Sequence, residues 1–264
     1  MGFFFLAGVI AWIPLLTADE GYSFDHSFYA KVLQGFTNAG DVDYAALKLH
    51  RQDLDEYLES LARFAGSDYA RMGEREKIAF WINASNALTI KTVIDHYPIK
   101  GGIFSGWFYP ANSIRQIPGV WDQIHRIKNE NWTLRQIEQI LRKDFREPRV
   151  HFALACASKG CPRLRAEPYT GTNLEQQLDD QAHDFFQDSQ KFIMDRQREV
   201  LYLSPLFDRF GQDFGPDSRK SVLAFVGRYV DPDKQEIFRQ GEWQIQYLEY
   251  DWRLNEKKNE KTQS

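Results

Sequence analysis

Between Glu74 and Pro98 the chain reads E-R-E-K-I-A-F-W-I-N-A-S-N-A-L-T-I-K-T-V-I-D-H-Y-P. Helix-forming residues run unbroken to the stop at Pro98, and the middle of the run is apolar on most sides instead of along one stripe. A helix of that kind must be covered all round by the rest of the chain. With 264 residues, 43% hydrophobic and 15% aromatic, the chain has enough apolar material to supply the cover. Asn83 and Asn86 sit three apart in this run and so share a face. A buried amide without partners costs about 1 to 3 kcal/mol, so the pair either ties down loop backbone or lines a polar cleft.

The cover is legible as further helices. Leu47, Leu54, Leu58, Leu61 and Phe64 recur at helical spacing. Thr133 and Gln136 form a capping box ahead of Leu134, Ile137, Ile140 and Leu141, with Glu138 expected on the solvated side. Asn173 is placed to cap a helix that buries Leu174, Leu178, Ala182, Phe185 and Phe186 and carries His183, and a last helix is expected over 218–230. Strands are expected over 150–156, 200–203 and 243–250. The Gly- and Pro-rich stretch from Lys100 to Val120 is an irregular loop whose Trp107, Phe108 and Tyr109 either cover the end of the central helix or rim a pocket. Strands and helices do not alternate as βαβ units. The predicted class is therefore α+β, a mainly helical single domain over 21–255 with a small antiparallel sheet. The polar residues 256–264 are expected to be disordered.

Met1 to Ala18 carries no charged side chain and reads as a signal-peptide core with cleavage after Ala18. The competing reading is an uncleaved anchor, although the run is short and is broken by Pro14, below the roughly 20 residues of a spanning helix. The expected location is periplasmic or secreted, with membrane contact only through an uncleaved N-terminal segment. A formal net charge of -4, and the lack of any basic run interleaved with aromatics, argue against a nucleic-acid partner.

Both cysteines lie in V-H-F-A-L-A-C-A-S-K-G-C-P, Val150 to Pro162. Three chemistries compete there. An exported chain favours a Cys156–Cys161 disulfide. Lys159, Arg163 and Arg165 would favour an ionised, nucleophilic Cys156. A metal held by His151, Cys156 and Cys161 lacks both the usual C-x2-C spacing and a fourth ligand, so neither a metal nor a cofactor is expected. In an extended strand His151 faces away from Cys156, which leaves His183 as a competing base. Asp251 is the candidate orienting carboxylate, and Asn83 or Asn86 the candidate oxyanion donor.

The motifs A-F-W-I-N-A-S-N-A-L-T-I (79–90), E-P-R-V-H-F-A-L-A-C-A-S-K-G-C-P (147–162) and Y-D-W-R-L-N (250–255) resemble those of the family known as domain of unknown function 547. With the helices between them they span most of the mature chain. The resemblance implies boundaries and little chemistry. Ser85, Gly160 and Arg209-Phe210 depart from the family pattern, which has an aromatic, a serine and a Trp-Tyr pair there. Two functions remain in play. One is a thiol-dependent acyl transferase or hydrolase outside the cytoplasm, papain- or transglutaminase-like by analogy. The other is a non-catalytic binding module that uses the loop around Trp107 to hold a small molecule, peptide or envelope component, with the cysteines bracing the fold.

Overall fold

The computed structural model describes residues 22–102 and 107–257. The apolar leader, and the expected tail from residue 258 onward, lie outside the described residues. Glu256 and Lys257, assigned to that tail from the sequence, are instead paired with Val42, to whose carbonyl the Lys257 N–H donates at 3.0 Å.

In chain order the first half contains α1 (Ser27–Phe36), β1 (Thr37–Asn38), β2 (Asp41–Val42), α2 (Tyr44–Leu49), α3 (Gln52–Arg63), α4 (Gly66–Arg71) and α5 (Glu74–His96). There follow β3 (His125–Ile127), β4 (Glu130–Trp132), α6 (Leu134–Gln139), α7 (Val150–Ala153) and α8 (Leu174–Gln187). The chain closes with β5 (Phe192–Asp195), β6 (Val200–Leu203), α9 (Leu206–Phe210), α10 (Ser218–Tyr229), α11 (Gln235–Gln240) and β7 (Gln244–Tyr247). The fold is a mainly helical α+β arrangement.

The central helix is α5. Every residue from Ile78 to Ile90 is buried, with α2, α3, α6 and α8 packed around it. Glu74 and Glu76 occupy its first turn, where the helix dipole favours negative charge. Phe80, Trp81 and Ile82 are fully enclosed, each contributing about 1.5 to 3 kcal/mol of apolar burial. The Thr133–Gln136 capping box is present at the start of α6. Asn173 holds the cap position of α8, but its side chain makes no capping bond. The apolar run from Leu47 to Phe64 is divided at His50 into α2 and α3, with Asp43 capping the first.

The buried apolar residues form two clusters. One surrounds α5; the other is rich in phenylalanine and lies between the end of α8, β6, α9 and α10. Two helices join them. Val150 and Ala153 of α7 belong to the first cluster and Phe152 to the second, while α8 gives Leu174 and Leu178 to the first and Phe185 and Phe186 to the second.

Two sequence expectations need correction. The run 150–156 is not a strand: α7 is a short helical turn, and an extended segment outside any sheet follows it. A short apolar run without a clear period is ambiguous between strand and buried helix. The backbone groups that a sheet neighbour would have paired are taken by a side chain, since Asn86 accepts from Ala155 N at 2.8 Å and donates to Ala153 O at 3.0 Å. The place foreseen for this strand is filled by β5, in a three-stranded sheet of order β5-β6-β7. That sheet is mixed. β5 and β6 are antiparallel, whereas β6 and β7 are parallel, because the helices α9 to α11 return the chain to the end where β6 began. The two hairpins β1-β2 and β3-β4 are antiparallel.

Candidate functional site

A cavity of about 380 Å³ opens between α5, α6, the segment after α7, α9 and the closing segment at Tyr250 to Trp252. The disulfide forms part of its wall. Cys156 and Cys161 are bonded with their Cα atoms 5.9 Å apart, inside the usual range for a bridge. The loop between them is pinned to the end of the chain: Lys159 N donates to Arg253 O at 2.8 Å, and Gly160 N to Asp251 O at 2.9 Å. Lys159 Nζ meets the Asp41 carboxylate at 2.6 Å. Glycine at 160 permits the approach, because a Cβ there would stand 3.0 Å from both Asp251 N and the Tyr250 ring.

On the cavity side, Cys156 Sγ lies 3.0 Å from Tyr250 OH and 3.2 Å from Ser158 Oγ, and these two hydroxyls are 3.1 Å apart. Burial pushes the Tyr250 phenol up to about 12, against a smaller opposite effect of the Ser158 hydrogen bond, so it is a protonated donor at neutral pH. Cys161 Sγ accepts from Cys156 N at 2.8 Å.

His151 reaches the same cavity from α7. Its Nε2 is 2.9 Å from Asp213 Oδ2, and its ring stacks on Phe210 with centroids 4.4 Å apart. Burial lowers the His151 pKa, with Asp213 opposing it in part, so the ring is neutral at pH 7. A neutral ring facing a carboxylate carries its proton on Nε2. Nδ1 is then an acceptor, and it has no hydrogen-bond partner among the described residues. Burial alone would raise the Asp213 carboxyl, but hydrogen bonds from His151, Arg142 and Lys143 outweigh it and hold the group far below the usual carboxylate range. The Asp213 side chain is only 5% exposed.

Of the residues singled out from the sequence, Cys156 and His151 line this cavity together. Asn86 stands behind it, holding the backbone on either side of Leu154. Asn83 is turned elsewhere: it exchanges two hydrogen bonds with the Tyr169 backbone and meets His26 Nε2 at 3.2 Å. His183 is exposed on α8 and borders a different cavity beside Arg149 and Tyr229. Asp251 bonds Arg253 through both carboxylate oxygens and touches no histidine. The residue orienting His151 is Asp213. Glu138, expected on a solvated face, lines the cavity and accepts from Arg142 at 3.2 Å. Trp107 and Phe108 neither cover the end of α5 nor rim this cavity; they are 89% and 79% exposed. Tyr109 alone of that trio packs inward, edge-on to Trp252 at 5.8 Å with Arg115 over its ring. Among the described residues no three His, Cys, Asp or Glu side chains are grouped to hold a metal ion.

Sequence reasoning passed over Asp213 and Tyr250. Asp213 carried a faint signal, an acid between aromatics and glycines in F-G-Q-D-F-G; Tyr250 stood in the closing Y-D-W motif. The fold and site define a helix-centred α+β protein with a disulfide-walled cavity. The chain resembles the family described as protein of unknown function, DUF547, whose model matches residues 69–186. That stretch holds α5, the disulfide loop and His151, while Arg209, Asp213 and Tyr250 lie beyond it. No curated protein and no solved structure matches the chain.

Proposed function

We propose that the protein is a non-catalytic binding module working outside the cytoplasm, in which the Cys156–Cys161 disulfide braces the wall of the ligand cavity. One observation carries this reading: the two sulfurs are joined, and the groups at Cys156 Sγ are the hydroxyls of Ser158 and Tyr250, with no imidazole bonded to it. A nucleophile needs a free thiol with a base in reach. A brace needs what is seen. The cavity volume falls in the range of small-molecule sites, with apolar walls and a few convergent polar groups, and a disulfide of this kind persists in oxidising compartments and not in a reducing cytosol. The test is native mass spectrometry of the oxidised protein against a small-molecule library, repeated with Ala155→Trp to fill the cavity. Retained ligands lost in the variant support the reading; ligands that bind the variant equally well count against it.

A second reading, thiol-dependent acyl transfer or hydrolysis, is favoured by the placement of His151 on the same cavity as Cys156, oriented by Asp213. In reduced protein the Cys156 thiol would pass its proton to His151 Nδ1 and the thiolate would attack a carbonyl. Alkylation rates of the reduced protein from about pH 5 to 9 test it. Rapid labelling of Cys156 with an apparent pKa well under about 8.5, lost in His151→Ala, supports catalysis, and slow labelling throughout removes it.

A further inference from the structure

The charges around the cavity are unequally matched. Arg135 is neutralised by Asp122 through two hydrogen bonds, at 2.7 and 2.9 Å. Glu138 is engaged by Arg142, whose other partner is Asp213. Arg209, on α9 at the cavity wall, has no carboxylate partner among the described residues; its guanidinium lies over the Phe210 ring, 4.9 Å from the centroid. Arg209 and Tyr250 both line this cavity. The neighbouring Asp208 also lines the cavity; it is exposed, as Arg209 is, and has no cationic partner among the described residues. The remaining wall is mainly apolar, with Trp121, Leu134, Leu154, Phe210 and Trp252.

An unpaired guanidinium and a phenol donor lining one mainly apolar chamber suit one kind of ligand well. We propose that the cavity takes an apolar or aromatic molecule ending in a carboxylate, with Arg209 binding the carboxylate, Tyr250 donating to it and the rings of Trp121, Phe210 and Trp252 enclosing the body. The fork of a guanidinium matches both oxygens of a carboxylate, and the exposed Arg209 is open to a head group at the cavity mouth. This inference rests on the binding-module reading and names its ligand class.

Calorimetric titration of the oxidised full chain with phenylbutyrate, phenylbutanol and phenylbutylammonium separates head group from body. The acid is expected to bind about tenfold more tightly than the alcohol, and the ammonium more weakly than either. Added salt should weaken binding of the acid but not of the alcohol. Arg209→Gln should bring the acid to the affinity of the alcohol and leave the alcohol unchanged, with Arg209→Lys intermediate. If acid and alcohol bind equally, or the ratio survives Arg209→Gln, the Arg209 assignment is overturned while the cavity reading stands. If none of the three binds, the ligand class is overturned and the cavity reading is decided by the library screen; if binding persists in Ala155→Trp, both fall together.

Discussion

Asn86 holds the backbone of the segment leading to Cys156, accepting from Ala155 N at 2.8 Å through Oδ1 and donating to Ala153 O at 3.0 Å through Nδ2. A single buried side chain on the central helix thus sets the path of the chain into the disulfide, doing for an isolated extended segment what a neighbouring strand does in a sheet. Asn83 acts in the same way on Tyr169.

Replacing Asn86 by leucine should leave two backbone groups, Ala155 N and Ala153 O, unpaired and lower stability by about 2 to 6 kcal/mol, at about 1 to 3 kcal/mol for each unsatisfied group. Urea denaturation at neutral pH measures this. A loss under about 0.5 kcal/mol, the level of an ordinary surface substitution, would show that the clamp does not hold the segment.

Stability should also fall with acid. His26 lies between Tyr57 OH at 2.8 Å and Asn83 Nδ2 at 3.2 Å, and burial lowers its pKa from 6.5 to about 4, against a smaller opposing pull from Asp25. Between those values the unfolded chain binds the extra proton, so stability present above pH 6.5 is lost as pH falls, and the loss is complete near pH 4. Its size is on the order of 3 kcal/mol. His151, also buried with a lowered pKa, acts with the same sign, while Asp213 stays ionised throughout this window. The His26 share is the difference in slope between the parent protein and His26→Gln. Identical slopes would rule it out.

Gly160→Ala should push the disulfide loop off the closing segment, because the new Cβ would meet Asp251 N and the Tyr250 ring at 3.0 Å. A cost of about 1 to 3 kcal/mol is expected for crowding at a packed contact, along with weaker ligand binding as Tyr250 shifts. An unaltered melting temperature and affinity would mean that the two segments are not held together as described.

The parts of the fold legible in the sequence were those set by local chemistry. The all-round apolar run gave away α5, the Thr133–Gln136 pair marked the start of α6, and β6 falls where a strand was expected, at Val200–Leu203. The stretch 150–156 misled because its partner is not a strand but Asn86, and a side-chain clamp leaves no periodic trace. Reading it as extended put His151 on the face opposite Cys156, whereas the helical turn of α7 brings His151 to the same cavity. Asp213 stayed hidden because it arrives from 62 positions away. Asp251, chosen as the orienting carboxylate, is instead taken up locally by Arg253, two residues on.

The most direct test of the account is a count of free thiols. Protein isolated from the periplasm or medium is trapped with iodoacetamide, without reductant, and its intact mass is measured before and after reduction. A disulfide brace predicts no alkylated cysteine before reduction and two afterwards, together with a stability loss of about 2 kcal/mol when the short loop is opened. Two alkylated cysteines in the freshly isolated, unreduced protein would contradict it.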